Sequence, residues 1–471
     1  MRILIDLQGA QNASRYRGIG RYSLALAKGI ARNAAGHQVF ILLNGLFSET
    51  IDEIKASFSG ILSADRFIIF SSPGPVCAVR SENIWRRCTA EILREHLIDS
   101  LAPDALLITS MIEGREDDTV TSLGHLKSTV PTAAILYDLI PMADPEQYMA
   151  SDIEKAWYYS KIAALRRADC LFAISQSTAN EGISMLDIES TRVRNISAAA
   201  DDSFSSMGES STDAVPVMKR LGIDRKYLMH SSVFATRKNF QGLVRAYAAL
   251  PSTVRADYQL VLVCKIDAAG RGELTTLAKS LGLAPDDMVL PGFVSDEDLI
   301  ALYTCCHLFV FPSFQEGFGL PALEAMCCGI PTIGSNATSV PEVIGRADAL
   351  FDPTSVKDMT ALILKALTDA GFYQSLKAHA KTQSAKFSWD ESARRAIAGM
   401  EELVTRAKPP THGVESTITK RKKMLEAVAK IACDTSPTDF ELLALASSIE
   451  TNRNEVIRLE ASAVDVAYSL R

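Results

Sequence analysis

The sequence lacks several features that would place the protein in a specialised class. Its nine cysteines contain no C-x-x-C spacing, and the adjacent pairs Cys305-Cys306 and Cys327-Cys328 are typical of reduced thiols packed as small hydrophobic groups. No run approaches the roughly 20 apolar residues that a membrane-spanning helix needs. The first residues read as a strand, without the apolar segment and cleavage site of a secretory leader. We therefore expect a cytoplasmic protein.

An excess of basic charge is also absent. The chain carries 49 Lys and Arg against 56 Asp and Glu, a formal net charge of −7, so it has no general attraction for nucleic acid. The seven histidines are scattered without a paired spacing that would suit a metal. Asp296-Glu297-Asp298 has the D-x-D form of metal-dependent transferases, but it follows Ser295 where a helix is predicted to begin, which favours helix capping. We expect no nucleic-acid partner, no metal site and no cofactor.

The sequence has enough apolar residues for two cores, since 47% of its 471 residues are hydrophobic. Short apolar strands alternate with amphipathic helical stretches, which predicts an α/β fold with parallel sheets and helices on both faces. The predicted strands cover 3–7, 39–43, 105–109, 132–137, 171–174, 227–230, 259–263, 288–290, 308–311, 332–334 and 349–351, with the first helix from about 21. Ligands in such folds bind beyond the carboxyl ends of the strands.

The pattern predicts two domains and a tail. We assign 1–200 to an N-terminal Rossmann-like domain and 201–224, rich in Asp, Ser, Thr and Ala, to an interdomain linker. Residues 225–405 are expected to form a C-terminal Rossmann-like domain, and 406–471 a second linker and a helical tail. A functional ligand is then expected between the carboxyl ends of two sheets.

The most informative stretch runs from 308 to 326. Its apolar beginning predicts a buried strand, and Gly317 and Gly319 supply a turn before a helix that Pro321 opens. Glu316 and Glu324 lie on either side of this turn. Because a helix N-terminus has free N–H groups and about half a positive charge, this loop is suited to hold a diphosphate.

This stretch resembles the retaining glycosyltransferases of family 4. The resemblance is carried by Glu316-x7-Glu324, by Gly329-Ile330-Pro331 and by Ser339-Val340-Pro341-Glu342-Val343, and it extends over roughly residues 1 to 400. It implies the GT-B architecture, in which two Rossmann-like domains with parallel sheets face each other, here followed by a C-terminal helical tail. It also implies that 1–200 form the acceptor-side domain and that 225–405 form the nucleotide-sugar-binding domain, which ends in a closing helix.

The resemblance also implies roles for the residues of this loop. Glu324, which we place in the first turn of the helix, would accept hydrogen bonds from the nucleotide ribose, and Glu316 would approach the transferred sugar. The main-chain N–H groups of Phe318, Gly319 and Leu320, next to Gly317, would complete the phosphate cradle.

A second segment, 231–240, follows the first predicted strand of the second domain. It resembles the Arg-Lys-Asn phosphate loop of the family, and we interpret Arg237 and Lys238 as a clamp for the diphosphate. Hydrogen bonds to charged groups contribute about 1.5 to 3 kcal/mol each. Many relatives have Gly-Arg where Ser231-Ser232 stands here, so we expect one cation fewer in this clamp.

The first domain contributes further candidates. Gly18, Gly20 and Arg21 lie in Gly18-Ile19-Gly20-Arg21-Tyr22, a loop that the family keeps where the backbone approaches the sugar and the acceptor. Asp138 follows a strand end and would orient an acceptor hydroxyl or the sugar, with a turn-capping role as the alternative. Its neighbour Tyr137 stands where many relatives have His, and Glu113 follows another strand end on the acceptor side.

Together the resemblance implies a metal-independent retaining hexosyltransferase in which the departing diphosphate takes the acceptor proton. Its catalytic residues would be Glu316, Asp138, Arg237 and Lys238. The similarity is closest to bacterial mannosyltransferases of O-antigen or surface polysaccharide synthesis, which favours GDP-mannose as donor and a lipid-linked carbohydrate acceptor. UDP-glucose, UDP-N-acetylglucosamine and a deoxysugar nucleotide are alternative donors, and a nucleotide-sugar epimerase or a catalytically silent scaffold are alternative functions.

The tail lies outside this resemblance. Residues 420–423 form a basic cluster that precedes an apolar helical face. Such a helix binds a membrane surface or a synthase partner, or it packs as an ordinary terminal helix. The first interpretation places the protein at the periphery of the inner membrane face.

Overall fold

The computed structural model describes residues 1–16, 18–206, 214–407 and 416–469. Two compact units make up the chain. The first unit comprises Met1–Ile174, Ala179–Ile196 and Trp389–Arg471, and the second comprises Ser175–Thr178 and Ser197–Ser388. The predicted linkers at 201–224 and 406–419 lie in part outside the described residues.

The described strands of the first unit form one parallel sheet in the order β3-β2-β1-β4-β5-β6-β7. These strands are β1 (Arg2–Asp6), β2 (Gln38–Asn44), β3 (Phe67–Phe70), β4 (Ala105–Ile108), β5 (Thr132–Leu136), β6 (Cys170–Ala173) and β7 (Val193–Asn195). The helices up to β7 are α1 (Gly18–Asn33), α2 (Ser48–Ser57), α3 (Ile84–Leu101), α4 (Ile140–Ala143), α5 (Pro145–Tyr148), α6 (Asp152–Arg167) and α7 (Gln176–Leu186).

The described strands of the second unit form another parallel sheet in the order β10-β9-β8-β11-β12-β13. These strands are β8 (Lys226–Ser231), β9 (Tyr258–Val263), β10 (Met288–Gly292), β11 (Leu308–Phe311), β12 (Thr332–Ser335) and β13 (Leu350–Phe351). The helices are α8 (Ser203–Ser206), α9 (Ala214–Arg220), α10 (Phe240–Ala248), α11 (Ser252–Asp257), α12 (Ala268–Ser280), α13 (Asp296–Cys305), α14 (Leu320–Cys327), α15 (Val340–Ile344), α16 (Val356–Thr368) and α17 (Ala370–Ser384).

The central strands of both sheets are apolar on both faces because helices cover them on both sides. Ile3, Leu4 and Ile5 of β1 are buried, as are all four residues of β11. The prediction of two Rossmann-like α/β domains is confirmed. Two strands escaped the sequence pattern: β3, and the short edge strand β7, whose central residue is Arg194. Helix α1 begins at Gly18, earlier than expected.

Each sheet reverses its winding at one place. In the first unit β1 lies between β2 and β4, and in the second unit β8 lies between β9 and β11. The connection after β8 therefore leads to one side of the sheet and that after β11 to the other. Such a switch point leaves a crevice beyond the strand ends, where ligands of open α/β sheets bind.

The last three helices, α18 (Trp389–Arg406), α19 (Thr417–Thr435) and α20 (Asp439–Ser469), belong to the first unit. The sequence-based division had assigned 389–405 to the second domain. Met424 and Val428 of α19, with Leu445 and Leu459 of α20, are buried in the same core as strands β1 to β4. The apolar face of the tail thus packs against its own domain.

Helix α20 also covers the edge strand β3. Asn452 brackets the backbone of Ser71, accepting from its N–H at 2.8 Å and donating to its carbonyl at 2.9 Å. Arg458 donates to the carbonyls of Asp65 and Phe67. In the part of the chain that the structure describes, no helix is long and apolar enough to cross a membrane.

Candidate active site

Two loops meet at the switch point of the second sheet. One follows β8 and carries a 3-10 turn, Thr236–Lys238, and the other follows β11 and spans 312–319. The Phe314 N–H donates to the Arg237 carbonyl at 2.8 Å, which joins the two loops directly. The site predicted from two distant sequence segments is therefore one place in the fold.

Asn239 fixes the geometry of the first loop. It adopts a left-handed conformation with φ 55°, and its side-chain oxygen accepts from the Gly242 N–H to cap α10. Its side-chain nitrogen donates to the carbonyls of Pro312 and Pro353 at 3.1 and 2.9 Å. The buried Asn239 side chain therefore caps α10 and also holds the loop after β11 next to the loop that carries Arg237 and Lys238.

Three charged side chains form the centre of the site. Lys238 Nζ lies 2.5 Å from Glu316 Oε1, and Arg237 Nη1 lies 3.2 Å from Glu316 Oε2 and 3.0 Å from the Gln315 carbonyl. Side-chain exposure is 7% for Lys238 and 8% for Glu316, but 23% for Arg237. Two cations against one carboxylate leave a net positive charge that is suited to an anion.

The neighbouring cations keep Glu316 ionised. Burial opposes ionisation of Glu316, but the neighbouring Lys238 and Arg237 outweigh it, so the pKa of Glu316 lies below its usual value. Beneath them, His230 is fully buried on β8 and its Nδ1 lies 3.1 Å from the Val310 carbonyl. Burial, assisted by Lys238, lowers the pKa of His230 to about 3, so this ring is neutral.

The Glu316 loop is held from beneath by the segment before α15. The Glu316 N–H donates to Thr338 Oγ1 at 3.0 Å, and Ser339 Oγ donates to the carbonyls of Glu316 and Phe318 at 3.0 and 2.8 Å. These contacts give a physical reason for the Ser339-Val340-Pro341 motif, because it fixes the backbone that carries Glu316.

Helix α14 begins at Leu320, with Gly319 as N-cap at φ 113°, a value that disfavours any side chain. Pro321 is therefore the second helical residue. The N–H groups at this helix start lack intrahelical acceptors, as at any helix N-terminus. Glu324 is the fifth helical residue, so the expectation that it lies in the first turn is wrong, because the helix starts only after the Gly319 cap.

A tyrosine that the sequence gave no reason to select positions Glu324. Tyr303 of α13 donates to Glu324 Oε2 at 3.0 Å, and its hydroxyl lies 3.1 Å from Ser231 Oγ at the end of β8. Tyr303 is buried and its ring packs edge-on against Phe204. Ser231, where many relatives have Gly, thus supports the tyrosine that orients Glu324.

The candidates of the first unit lie at the carboxyl edge of its own sheet. Gly18 is open to solvent, and Arg21, in the first turn of α1, is exposed. A Cβ on Gly20 would lie 2.3 Å from the Ser14 carbonyl oxygen, so this glycine allows the preceding turn to contact α1. Asp138 accepts from the Ile140 N–H at 3.1 Å, which is the capping contact given above as the alternative.

Tyr137, beside Asp138, is held in place by its hydroxyl. This group donates to the Thr109 carbonyl at 2.9 Å and lies 3.0 Å from Ser23 Oγ. Burial raises its pKa far above the ordinary value. The residue that replaces the histidine of many relatives therefore connects the end of β4 to α1.

Glu113 is a buried carboxylate of the first unit that, like Glu95, forms no ion pair within the described residues. Asp6 pairs with Arg94, and Glu91 pairs with Lys161 at 3.3 Å, but among the described residues Glu113 has no cation as partner. It accepts from Ser110 Oγ and Asn12 Nδ2, each at 2.9 Å. Burial raises its pKa to about 7 despite these two hydrogen bonds.

Residues 175–178, which group with the second unit, contact the Glu316 loop. Thr178 Oγ1 donates to the Gly317 carbonyl at 3.0 Å. The Glu342 carboxylate accepts from the Gln176 and Ser177 N–H groups at 2.8 and 2.7 Å and so caps α7. The Ser175-Gln176-Ser177-Thr178 segment therefore belongs to the surroundings of the site.

The D-x-D segment has the capping role expected of it. Ser295 Oγ accepts from the Asp298 N–H at 3.2 Å, and Asp298 accepts two hydrogen bonds from Arg220 at 2.7 Å. Within the described ranges no group of three or more His, Cys, Asp or Glu side chains is arranged to hold a metal ion.

Residues 217–383, which contain this entire arrangement from β8 to α17, match the family described as glycosyl transferases group 1. The chain contains a glycosyl transferase group 1 domain. It is 39% identical over 430 residues to the serotype-specific mannosyltransferase WbdA of Escherichia coli, covering 91% of this chain and 51% of that protein. The chain thus spans about half the length of this relative.

A shorter relative is similar over most of its length, and two solved structures have a similar fold. The O-antigen chain mannosyltransferase B of Escherichia coli is 28% identical over 387 residues, covering 81% of this chain and 94% of that protein. Anabaena HepE, solved with UDP and glucose, matches with a TM-score of 0.61 at 17% identity, covering 85% and 100% of the two chains. WaaG, a lipopolysaccharide glycosyltransferase, matches with a TM-score of 0.57 at 16% identity, covering 84% and 98%. The fold is GT-B, as predicted.

The structure brings Arg237, Lys238 and Glu316 into direct contact. Gly317, Phe318, Gly319 and Leu320 follow in the loop that they anchor, and Glu324 lies one helical turn further along. Gly18, Gly20, Arg21 and Asp138 belong to the other unit. Sequence reasoning missed the roles of three residues: Tyr303, which the sequence gave no reason to select, Asn239 within the Arg-Lys-Asn segment, and Thr338 next to the Ser339 motif.

Proposed function

We propose that the protein is a retaining mannosyltransferase that moves mannose from GDP-mannose to a hydroxyl of a carbohydrate acceptor in bacterial O-antigen or surface-polysaccharide synthesis. The observation that carries the proposal is the cluster of Arg237, Lys238 and Glu316 at the switch point of a group 1 domain. The choice of mannose follows from the names of the two Escherichia coli relatives.

In this proposal the second unit binds the donor. Arg237 and Lys238 contact the diphosphate, and the N–H groups at the start of α14 complete the cradle. Glu324, oriented by Tyr303, accepts from the ribose hydroxyls, and Glu316 faces the transferred sugar. The charge that develops on the leaving diphosphate is then met by protein groups alone, so we propose that no metal takes part.

The reaction exchanges one bond at the anomeric carbon. The bond to the β-phosphate oxygen breaks as the acceptor oxygen forms its bond on the same face of the sugar. The proton of the acceptor hydroxyl passes to the departing diphosphate, which leaves as GDP. Asp138 of the first unit is proposed to orient the acceptor hydroxyl or the sugar.

Calorimetry with GDP, UDP and dTDP sugars tests the donor assignment. We expect the tightest binding with GDP-mannose and at least tenfold weaker binding in Arg237→Ala and Glu324→Ala, the loss of one charge-assisted hydrogen bond or more. Lys279→Ala, which removes an exposed cation at the end of α12, is the matched control and should bind like the wild type. Tight binding of a uridine or thymidine donor instead would replace GDP-mannose, and binding of no donor would favour the scaffold.

Two further measurements separate transfer from the other functions. Release of free mannose and GDP without acceptor distinguishes an enzyme from a silent scaffold, and NMR of the product reports whether the anomeric configuration is retained. Recovery of a changed epimer of the nucleotide-sugar would support the epimerase instead.

We also propose that the protein acts at the cytoplasmic face of the inner membrane. The buried face of α19 is occupied by its own domain, but the opposite face presents Ile418, Arg421, Lys422 and Leu425, all exposed, at helical spacing. Cations next to exposed apolar side chains are suited to an anionic lipid surface. A lipid-linked acceptor would be reached from there.

A further inference from the structure

The segment between β12 and α15 contains a backbone conformation that its residue type does not favour. Thr338 has φ 47°, in the left-handed region, where a β-branched side chain is an outlier. The other described non-glycine residues with positive φ are Ala102, Asp187, Ser197, Asn239 and Ser436, and none of these is β-branched. Such a conformation costs free energy and persists only where neighbouring contacts hold it.

The contact that holds Thr338 is made by its hydroxyl. Thr338 Oγ1 accepts from the Glu316 N–H at 3.0 Å. The next residue, Ser339, is fully buried and donates to the Glu316 carbonyl, also at 3.0 Å. Two consecutive side chains therefore hold Glu316 by both of its main-chain polar groups, and neither contact involves a charged group.

The need for a side-chain oxygen explains why a threonine takes this conformation. Glycine would adopt φ 47° without strain, but it has no side-chain acceptor for the Glu316 N–H. The second branch of threonine also limits its χ1 angle, so that Oγ1 is held in one direction more firmly than the oxygen of a serine would be. The strain at Thr338 thus accompanies a fixed acceptor for the backbone of Glu316.

These main-chain contacts differ in kind from those of the Glu316 side chain. Its carboxylate is held by Arg237 and Lys238, the two cations proposed to contact the diphosphate. When a donor is bound, the diphosphate competes with the carboxylate for both cations. The neutral contacts from Thr338 and Ser339 are independent of this competition.

We infer that Thr338 is a positioning residue for glycosyl transfer, because its hydroxyl keeps the Glu316 backbone in place while the donor diphosphate engages Arg237 and Lys238. The inference rests on the proposed function. In this role Thr338 contacts neither the donor nor the acceptor and acts through Glu316. Its loss therefore lowers the rate of transfer and leaves the binding of the donor to the two cations.

Transfer kinetics test this role, with GDP-mannose as donor and methyl α-mannoside as acceptor probe. Thr338→Val keeps the shape of the side chain and removes the acceptor, and we expect kcat to fall about tenfold or more, the effect of a displaced reacting group. The donor KM should change less than about twofold, because uniform binding is not lost. Thr338→Ser restores the oxygen and should return kcat to within about threefold of the wild type. Thr332→Val makes the same exchange on β12, where the hydroxyl donates to the Ile330 carbonyl, and is the matched control.

Thermal unfolding separates this positioning role from a structural one. Thr338→Gly and Thr338→Val both remove the acceptor, but only glycine adopts φ 47° without strain. We therefore expect Thr338→Gly to unfold at a higher temperature than Thr338→Val and yet to transfer no faster. A purely structural role would make transfer follow stability, so that the more stable variant would be the more active one.

The outcomes separate this inference from the proposed function. Wild-type kcat in Thr338→Val, or faster transfer by Thr338→Gly than by Thr338→Val, would overturn the inference and leave the function standing. If the wild type transferred mannose from no donor, the function would fail, and amide hydrogen exchange of the 314–318 segment would still test Thr338. Faster exchange of the Glu316 N–H in Thr338→Val, with the wild-type rate in Thr338→Ser and Thr332→Val, supports the positioning of Glu316; an unchanged rate in Thr338→Val refutes it.

Discussion

Lys238 Nζ and Glu316 Oε1 lie 2.5 Å apart at the centre of the proposed donor site, and Arg237 shares the same carboxylate. The cations proposed to bind the diphosphate are therefore already paired. Glu316 holds both side chains in place before any anion arrives, and a bound diphosphate has to lie next to this carboxylate. The same residue thus organises the clamp and weakens its attraction for anions.

Removing this charge should separate the two effects. We expect Glu316→Gln to bind GDP about fivefold more tightly or better, because one negative charge near the diphosphate is lost, while mannose transfer falls at least tenfold. Calorimetry and single-turnover transfer measure the two effects. Glu297→Gln, an exposed change on α13, is the control. Weaker GDP binding in Glu316→Gln would show that the organising role dominates.

The buried Glu113 should make the stability of the first unit depend on pH. Its pKa in the folded chain is about 7, above the usual value of 4.5, so folding takes up a proton between these values and stability falls as pH rises through this range. Glu113→Gln should remove a decrease on the order of 3 kcal/mol between pH 4.5 and 7.5.

Urea unfolding at both pH values checks this, followed by tryptophan fluorescence. Trp85, Trp157 and Trp389 are the three tryptophans of the chain, and all belong to the first unit, so the signal reports that unit alone. An equal pH dependence in the wild type and Glu113→Gln would assign the effect to another group.

Tyr303→Phe should weaken nucleotide binding without touching the diphosphate cations. Its hydroxyl orients Glu324, and the loss of one hydrogen bond to a charged group costs about 1.5 kcal/mol, a roughly tenfold rise in the donor KM. We expect kcat to change less than twofold. Tyr247→Phe, which removes a hydroxyl bonded to the Tyr258 carbonyl elsewhere in the unit, is the matched control. A fall in kcat at constant KM would contradict this positioning role.

A chelator should leave turnover unchanged. If Arg237, Lys238 and the helix N-terminus compensate the leaving diphosphate, then EDTA has nothing to remove, and the initial rate should stay within about 20% of its value. Added Mg²⁺ or Mn²⁺ should then not increase the rate. Loss of activity that a divalent ion restores would reopen the assignment of the D-x-D segment.

Reversing the charges on the exposed face of α19 should abolish binding to anionic vesicles. Flotation with phosphatidylglycerol vesicles is expected to recover the wild type, and neutral phosphatidylcholine vesicles should not. Arg421→Glu combined with Lys422→Glu should lose this binding, at roughly 1 kcal/mol per charge. Lys377→Glu with Lys381→Glu makes the same change of net charge on α17 and should still float. Equal recovery of both double variants would exclude α19.

The two loops of the proposed donor site could be brought together from the sequence because they follow strands that are adjacent in the sheet. Once β8 and β11 are recognised as strands, the rules of parallel sheets bring Arg237 and Glu316 to one edge. Tyr303 could not be selected in this way. Its hydroxyl contacts Glu324 and Ser231, which lie 21 and 72 positions away in the sequence. The apolar stretch of α13 that contains Tyr303 gives no sign of these contacts.

The start of α14 shows a second limit. The sequence contains two glycines and a proline near the turn, and any of them could mark the helix start. Only the backbone shows that Gly319 caps the helix, which moves Glu324 out of the first turn. The tail shows a third limit of sequence-based prediction. The apolar stripe around Met424 could pack against a membrane, a partner or the rest of its own unit, and only the structure shows that it packs against α3.

The covering of β3 by α20 makes the helical tail part of the folded first unit. The match to the group 1 family ends at residue 383, but Met424, Val428, Leu445 and Leu459 complete a core begun by β1. Cutting the chain where that match ends would open that core and uncover the backbone of an edge strand, which invites pairing between molecules. By covering the edge of the sheet, the helical tail prevents molecules of this protein from pairing through β3.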